Sequence, residues 1–399
     1  MDFEAIKSSF PIFRHQPELV YADSASTTQK PEVVIQAMNR FYENENANVH
    51  RGLYKLSEQA TIHYEEVRQK VSRFIGAPHA KSIAFTKGTT ESINIISSGF
   101  LKNQLKPGDE VLISAMEHHA NLIPWQQVCK EKGAKLSVIP VDENGNLVLE
   151  ELGVLLHNNT KLIAITHVSN TLGTVNPIHE IIAAAHQKNI PVLIDAAQSV
   201  SHLPIDVNNL GADFLVFSAH KMFGPMGIGV LYAHEKFHDQ ITPLNVGGGA
   251  IKNVSFAETE FLDYPRSLEA GTPHVSGVIG LGAAIDFLNS LDLMEVSHYV
   301  SALGQQMRKG LTKLPGIKVV GDSQSGIVSF VDEKIHPHDI ASFLASKNIA
   351  VRAGHHCTQP LLDCLGIHAT VRVSFSVYNS TADVEQMLEA MREVKKFWA

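Results

Sequence analysis

Two short apolar runs constrain this chain more than any other feature of it. Val192-Leu193-Ile194 ends on Asp195, and Phe214-Leu215-Val216-Phe217 ends on Ser218-Ala219-His220-Lys221, just before Phe223-Gly224-Pro225. Each run has the length and side chains of a buried strand. Successive strands of an open α/β sheet present their last residues at one carboxyl edge, where such sheets hold ligands. An acid and a lysine placed there face the same ligand.

The ligand that uses both is pyridoxal phosphate. Its aldehyde forms a Schiff base with a lysine amine, and an acid keeps its pyridine nitrogen protonated so that the ring accepts electrons. Lys221 and Asp195 are the candidates. Gln198, three residues past the acid, is placed to reach the ring hydroxyl, and Ser218 and His220 flank the lysine as phosphate donors. A generic lysine is a solvated surface residue; the apolar run ahead of Lys221 sets it apart.

The rest of the chain supplies the sheet. From residue 80 onward, strand-like runs at 82–85, 110–114, 135–140, 162–167, 192–195, 214–217 and 229–232 alternate with helical stretches. That alternation predicts an α/β fold with a mostly parallel, seven-stranded sheet covered on both faces. Helical spacing also marks 31–42, with Pro31 suited to a first turn, and 57–75. Residues 1 to about 20 read as a short arm broken by Pro11 and Pro17, and 20–28 as a polar loop or turn beside the core. After Pro273 the texture changes: helical stretches at 275–291 and 293–314, strand-like 317–320 and 327–331, and helices at 338–347 and 382–397 describe a smaller α+β domain. The expected division is a large domain over 22–285 and a small one formed by 1–21 together with 286–399.

A chain of 399 residues is long enough for two domains. Its net charge of −8 argues against nucleic acid or an anionic membrane as the main partner. No apolar run approaches the roughly 20 residues of a membrane span. The opening MDFEAIKSSFPIF lacks the basic-then-apolar order of a signal peptide. Cys129, Cys357 and Cys364 are too few and too scattered for a disulfide framework, so a reducing cytoplasm is expected.

Four further motifs carry chemistry. Phe85-Thr86-Lys87-Gly88-Thr89-Thr90-Glu91 joins a strand to a helical run, and its free N–H groups and hydroxyls suit a phosphate, although Thr89 or Thr90 as an ordinary N-cap explains it equally. Glu117-His118-His119 follows a strand; a flat imidazole there stacks on an aromatic cofactor or serves as a structural histidine, while adjacent histidines point to opposite sides and make a poor metal pair. In Arg352-Ala353-Gly354-His355-His356-Cys357 the thiol, with a free pKa of ~8.5, has His and Arg neighbours that would lower it. The spacings lack the CxxC or HxxxH form of structural zinc, so no metal is expected; an inert buried cysteine is the bland alternative. In Thr370–Phe375, Arg372 faces opposite to Val371 and Val373, and its forked donors match a carboxylate, whether of a substrate or of a surface ion pair.

Taken together, the ordered motifs TKGTTES, MEHHANLIPW, HVSNTLGT, DAAQS, FSAHKMFGPMGIGVLY, EAGTP, VRAGHHCTQPLL and VRVSFSVYN strongly resemble the cysteine desulfurases among the class V, fold type I pyridoxal-phosphate enzymes. The likeness covers nearly the whole chain. The Arg-x-Gly-His-His-Cys loop and the stretch Asn48-Val49-His50-Arg51-Gly52 point to the group II, Suf-type branch. Met226 in GPMG and Ala250 after the double glycine depart from the family's usual residues.

The resemblance implies roles. Lys221 carries the Schiff base and shuttles protons, Asp195 pairs with the pyridinium, Gln198 contacts the ring oxygen, and His118 stacks on the ring and serves in acid/base steps. Thr89, Thr90, Ser218 and His220 hold the phosphate. Thr272 reaches a partner subunit's phosphate, which implies a homodimer with shared sites. Arg372, assisted by Asn170 and with Arg352 nearby, binds the substrate carboxylate; His50 lines the pocket; Cys357 is the nucleophile. The implied reaction converts L-cysteine to L-alanine, leaving a persulfide on Cys357 for a Suf-type acceptor feeding iron–sulfur cluster assembly, with weak activity until that partner stimulates it. Selenocysteine lyase on the same scaffold is the close alternative. An ordinary aminotransferase needs no thiol, and Cys357 on its glycine-flanked loop argues against it.

Overall fold

Residues 1–323 and 325–398 are described by the computed structural model. Two short helices, Phe3–Ser8 and Pro11–His15, precede strand β1 (Val20–Tyr21). Pro11 occupies the first turn of its helix, where the missing N–H has no bond to lose.

The main sheet is built from β2 (Ile83–Thr86), β3 (Glu110–Ser114), β4 (Lys135–Ile139), β5 (Thr160–Thr166), β6 (Val192–Asp195), β7 (Phe214–Ser218) and β8 (Gly229–Ala233), in the order β2-β8-β7-β6-β5-β3-β4. Only β8 opposes its neighbours; the other six run one way. Alternate residues divide between two apolar layers, as the period of a strand requires. Ile194, Leu215 and Phe217 meet the helices Lys55–Phe74, Ile178–His186 and Val275–Asn289 on one face, and Leu193, Phe214 and Val216 meet Trp125 and Ile96 on the other. Burial on both faces explains why these strands read as continuous apolar runs.

The remaining strands are β9 (Ile251–Val254), β10 (Thr259–Phe261), β11 (Ile317–Val320), β12 (Ile327–Asp332), β13 (Ile349–Ala350), β14 (Arg352–Gly354) and β15 (Thr370–Ser374). An antiparallel sheet in the order β11-β12-β15-β14 packs on the helices Leu293–Leu311, Pro337–Ala345 and Thr381–Phe397. The architecture is the expected α/β fold: a mostly parallel seven-stranded sheet with a smaller α+β part. No single helix among the described residues is long and apolar enough to cross a membrane.

The expected strands form, with ends shifted by at most about two residues. Residues 20–28 form the expected turn beside the core, but they open on a strand that was not expected: β1 pairs in parallel with β13, and Asp23 bridges to Ser374. A two-residue strand whose partners lie at the far end of the chain leaves no local periodicity to read. The β9–β10 hairpin was also missed, since its residues are mostly exposed and show no buried face.

Candidate active site

The parallel strands end on one edge of the main sheet, and five of the six end on a polar residue. Thr86 closes β2 and leads through Gly88 into the helix Thr89–Ile95; Ser114 closes β3 and leads to Glu117 and His118; Thr166, Asp195 and Ser218 close β5, β6 and β7. A single turn, Ala219–Lys221, follows β7. Across from this edge stand Arg352 on β14, the loop 355–357 and Arg372 on β15. A cleft of about 320 Å³ lies between them, bounded by Thr89, Thr90, His118, Asn170, Asp195, Gln198, Ser218, His220, Lys221, Arg352, Cys357 and Arg372.

Two expected site residues are elsewhere. His50 and Thr272 line a second cleft of about 280 Å³, with Arg51, Arg266 and Glu269. The turn before the helix Lys55–Phe74 folds back on that helix: the His50 N–H donates to Thr61 Oγ1 (2.8 Å), and its ring stands edge-on to Tyr64. His50 therefore does not line the Lys221 cleft of its own chain. Met226 is exposed and Ala250 buried, and neither bounds that cleft.

At one end of the cleft the Thr89 N–H donates to Ser218 Oγ (2.8 Å), and the two hydroxyls lie 2.8 Å apart. Gly88, not a threonine, is the N-cap, so both threonine hydroxyls are released from capping. Gly88 and Gly229 touch: a Cβ on Gly229 would fall 2.4 Å from the Gly88 Cα. The Nδ1 of His220 is buried with no hydrogen-bond partner among the described residues.

In the middle, burial pushes the Lys221 amine below its ordinary value, with Asp195 opposing and Arg372 adding to the depression. Burial raises the Asp195 carboxyl, against the Ala197 N–H (2.9 Å) and the charge of Lys221. The His118 Nδ1 accepts from the Ala120 N–H (3.0 Å), which leaves the ring proton on Nε2; burial, then Lys221, pushes the imidazole down to about 3. Gln198 donates from Nε2 to the Ala25 carbonyl (2.7 Å). Beneath His118, the buried Glu117 accepts from the Ser114 hydroxyl (2.5 Å), the Asn121 amide (2.6 Å) and the Thr166 N–H (2.9 Å), tying the ends of β3 and β5 together. Burial raises its carboxyl to about 8.

At the far end, Arg372 Nη2 donates to Asp23 Oδ1 (3.0 Å) and Ser26 Oγ (2.7 Å), and Nη1 to the Asn170 carbonyl (2.9 Å), while its buried Nε has no partner among the described residues. Arg352 also donates to Asp23, at 3.0 to 3.3 Å. The Asn170 side-chain amide donates to the His356 carbonyl (2.7 Å) and so braces the cysteine loop. His356 and Cys357 hold φ of 52° and 59°, a left-handed conformation that costs about 1–3 kcal/mol per non-glycine residue. The surrounding bonds maintain it: His119 N–H to the Cys357 carbonyl (2.8 Å), Thr358 Oγ1 with Thr171 Oγ1 (2.6 Å), and His356 Nε2 with Thr370 Oγ1 (2.8 Å). Cys357 itself is exposed, whereas Cys129 is buried with its thiol raised to about 11.

Asp23, Ser26 and Glu117 were not anticipated. An acid inside the small-residue run Ala22-Asp23-Ser24-Ala25-Ser26, and another directly before two histidines, were the available signals.

These residues fit pyridoxal phosphate. Lys221 offers the amine for its aldehyde, Asp195 the acid for its ring nitrogen, and the Thr89–Ser218 hydroxyl cluster with the open His220 Nδ1 the donors for its phosphate. A mostly parallel seven-stranded sheet with a lysine and an acid at adjoining strand ends defines the fold type I class of pyridoxal-phosphate enzymes. Within it, the chain belongs to the aminotransferase class-V family, whose model matches residues 20–387. It is 43% identical over 402 residues to a probable cysteine desulfurase of Halalkalibacterium halodurans, covering 100% of this chain and 99% of that protein. It is likewise 43% identical over 398 residues to a cysteine desulfurase of Salmonella typhimurium, covering 98% of each. Among solved structures, the cysteine desulfurase CsdA of Escherichia coli in an S-sulfonic acid form superposes with a TM-score of 0.94 at 36% identity, over 100% of this chain and 99% of that one. An apo cysteine desulfurase of Thermococcus onnurineus matches with a TM-score of 0.94 at 39% identity, over 98% of each.

Proposed function

We propose that this chain is a cysteine desulfurase that converts L-cysteine to L-alanine and keeps the sulfur as a persulfide on Cys357. The observation that carries the reading is that Lys221, Arg372 and the braced Cys357 loop bound one cleft. Full-length relatives bearing that activity support it.

When bound, pyridoxal phosphate supplies an electron sink through the Schiff base of its aldehyde with an amine. The chain's own residues do the rest. Arg372, whose buried Nε has no partner among the described residues, and Arg352 take the substrate carboxylate at the cleft wall. Lys221, its amine depressed by burial, moves the α-proton. Asp195 and Gln198 would hold the ring end of the cofactor, with His118 on the same cleft wall. Cys357 Sγ, as thiolate, bonds to the substrate sulfur while the Cβ–S bond breaks; the pair of that bond stays with the carbon side, which takes a proton at Cβ and regains its α-proton to leave as L-alanine.

The finer assignment is the group II, Suf-type branch: a cytoplasmic enzyme that hands its sulfur to a relay protein for iron–sulfur cluster assembly. The exposed Cys357 supports transfer to a protein acceptor. Placement of His50 and Thr272 in a separate cleft supports a homodimer in which that cleft serves the partner's site. The division into 22–285 and 1–21 with 286–399 belongs to the same reading, and limited proteolysis tests it.

Wild type and Cys357→Ala, each given L-cysteine and a reductant, test the function. Equal alanine and sulfide from wild type with the reductant, and one added sulfur atom by intact mass when the reductant is left out, which the variant lacks, is the expected result. Alanine from selenocysteine alone would move the assignment to a selenocysteine lyase, and full alanine production by Cys357→Ala would overturn the role of the thiol.

A further inference from the structure

The turn that carries Lys221 is gripped from outside the cleft. The carbonyl of His220, the acyl half of the peptide bond to Lys221, accepts from four donors: the Thr28 N–H (3.0 Å), the Thr27 and Thr28 hydroxyls (3.1 Å each) and the Lys30 ammonium (3.0 Å). A carbonyl oxygen has two lone pairs, so this one is served twice over. On the other side of Lys221, the Phe223 N–H donates to Thr28 Oγ1 (2.8 Å), and Phe223 holds a left-handed φ of 68°. One short segment thus clamps both flanks of the lysine.

Lys30 is the unusual member of the clamp. Its ammonium also donates to the Thr28 carbonyl (2.6 Å), and among the described residues no carboxylate lies within ion-pair distance of it. Burial pushes the amine down to about 7. A half-buried ammonium held by two carbonyls and no carboxylate gives up part of its hydration, and an apolar side chain of similar length would fill the space without that penalty. Lys30 does not bound the cleft; its charge faces the peptide beside Lys221 and also bears on the His220 imidazole.

We propose that Lys30 is a positioning residue for Lys221: through the His220 carbonyl it holds the lysine turn in one place while the side chain leaves and rejoins the cofactor. The proposal rests on the reading of Lys221 as the Schiff-base lysine. With Lys30 gone, three donors still hold the carbonyl, so the turn folds but loosens.

The test compares holoenzymes of wild type, Lys30→Met and Lys30→Arg, with Lys221→Ala as control. Hydrogen exchange of the Met222 and Phe223 amides is the direct readout, alongside kcat and KM for L-cysteine and the deuterium effect from α-deuterated L-cysteine. In Lys30→Met those amides exchange faster and kcat falls about tenfold to a hundredfold, the range a small misplacement costs. KM stays within about twofold, the isotope effect on kcat grows, and Lys30→Arg recovers most of each. Wild-type exchange and kcat in Lys30→Met would overturn the proposal. So would faster exchange spread across the whole molecule with a lowered Tm and no recovery by arginine, which is the mark of a structural role. A Lys221→Ala protein whose cofactor is still fixed to a lysine by borohydride would overturn the reading of Lys221 itself, and the proposal with it.

Discussion

Arg352 and Arg372 stand directly opposite each other on β14 and β15, and the carboxylate of Asp23 pairs with both. Like charges in register across a ladder repel, so the pair is tenable because a third element delivers an acid between them. That element is the continuation of β1, and Asp23 itself bridges to Ser374. Asp23 thereby sets the direction in which the Arg372 fork presents its remaining donors.

Replacing Asp23 therefore disturbs substrate capture more than chemistry. For Asp23→Asn we expect KM for L-cysteine to rise about tenfold, equivalent to about 1.4 kcal/mol, with a smaller change in kcat. Both variants leave the two guanidinium groups unneutralised; Asp23→Ala also removes the oxygen that accepts from them and lowers Tm further. Steady-state kinetics and a thermal melt separate the two effects.

The cysteine loop is held by hydroxyls as much as by its own backbone. Thr358→Val keeps the shape of the side chain but leaves the buried Thr171 hydroxyl without its 2.6 Å partner, at a cost of about 1–3 kcal/mol. With His356 and Cys357 in left-handed backbone, the loop relaxes when that brace is lost. Alkylation of Cys357 should accelerate relative to Cys364, while persulfide formation slows severalfold, both followed by peptide mass.

Contact between Gly88 and Gly229 brings the helix start beside β7 and β8. Gly229→Ala forces the two backbones apart, which we expect to destabilise the protein by about 1–3 kcal/mol. Because Thr89 and Ser218 move with that contact, retention of pyridoxal phosphate after gel filtration should fall. Visible absorbance of the bound cofactor measures it.

Acid sensitivity follows from five histidines held down by burial, His167, His202 and the three that bound the cleft. Burial pushes His118, His220 and His356 down to about 3, 4 and 3, against an ordinary value near 6.5. Between those values the unfolded chain binds more protons than the folded one. Their contribution to stability is therefore full above about pH 6.5 and is lost progressively as the pH falls toward 3–4. His356→Gln removes one such group, so the drop in urea midpoint from pH 7 to pH 5 should be shallower in the variant than in wild type.

What was legible in the sequence was local. The runs ending on Asp195 and Ser218 announced buried strands because every residue in them is apolar, and the alternation from residue 80 onward announced a parallel sheet because each strand and its crossover are short-range patterns. Lys221, Asp195, His118 and Arg372 stood out by position at the ends or on one face of such runs. Asp23, Ser26 and Lys30 did not, since their value comes from partners near residues 220, 352 and 372, far along the chain.

Sequence alone thus determined which strands of the main sheet and which long helices form and which reactive side chains sit at strand ends, since both depend on periodicity and on neighbours a few residues away. Tertiary structure decided that the acid of residue 23 would bridge two arginines from the other end of the chain, that His50 would leave the Lys221 cleft, and that one carbonyl beside the lysine would gather four donors. Those outcomes are set by the order and register of the sheets and by where β1 is stitched to β13, relations between distant segments that no local pattern records.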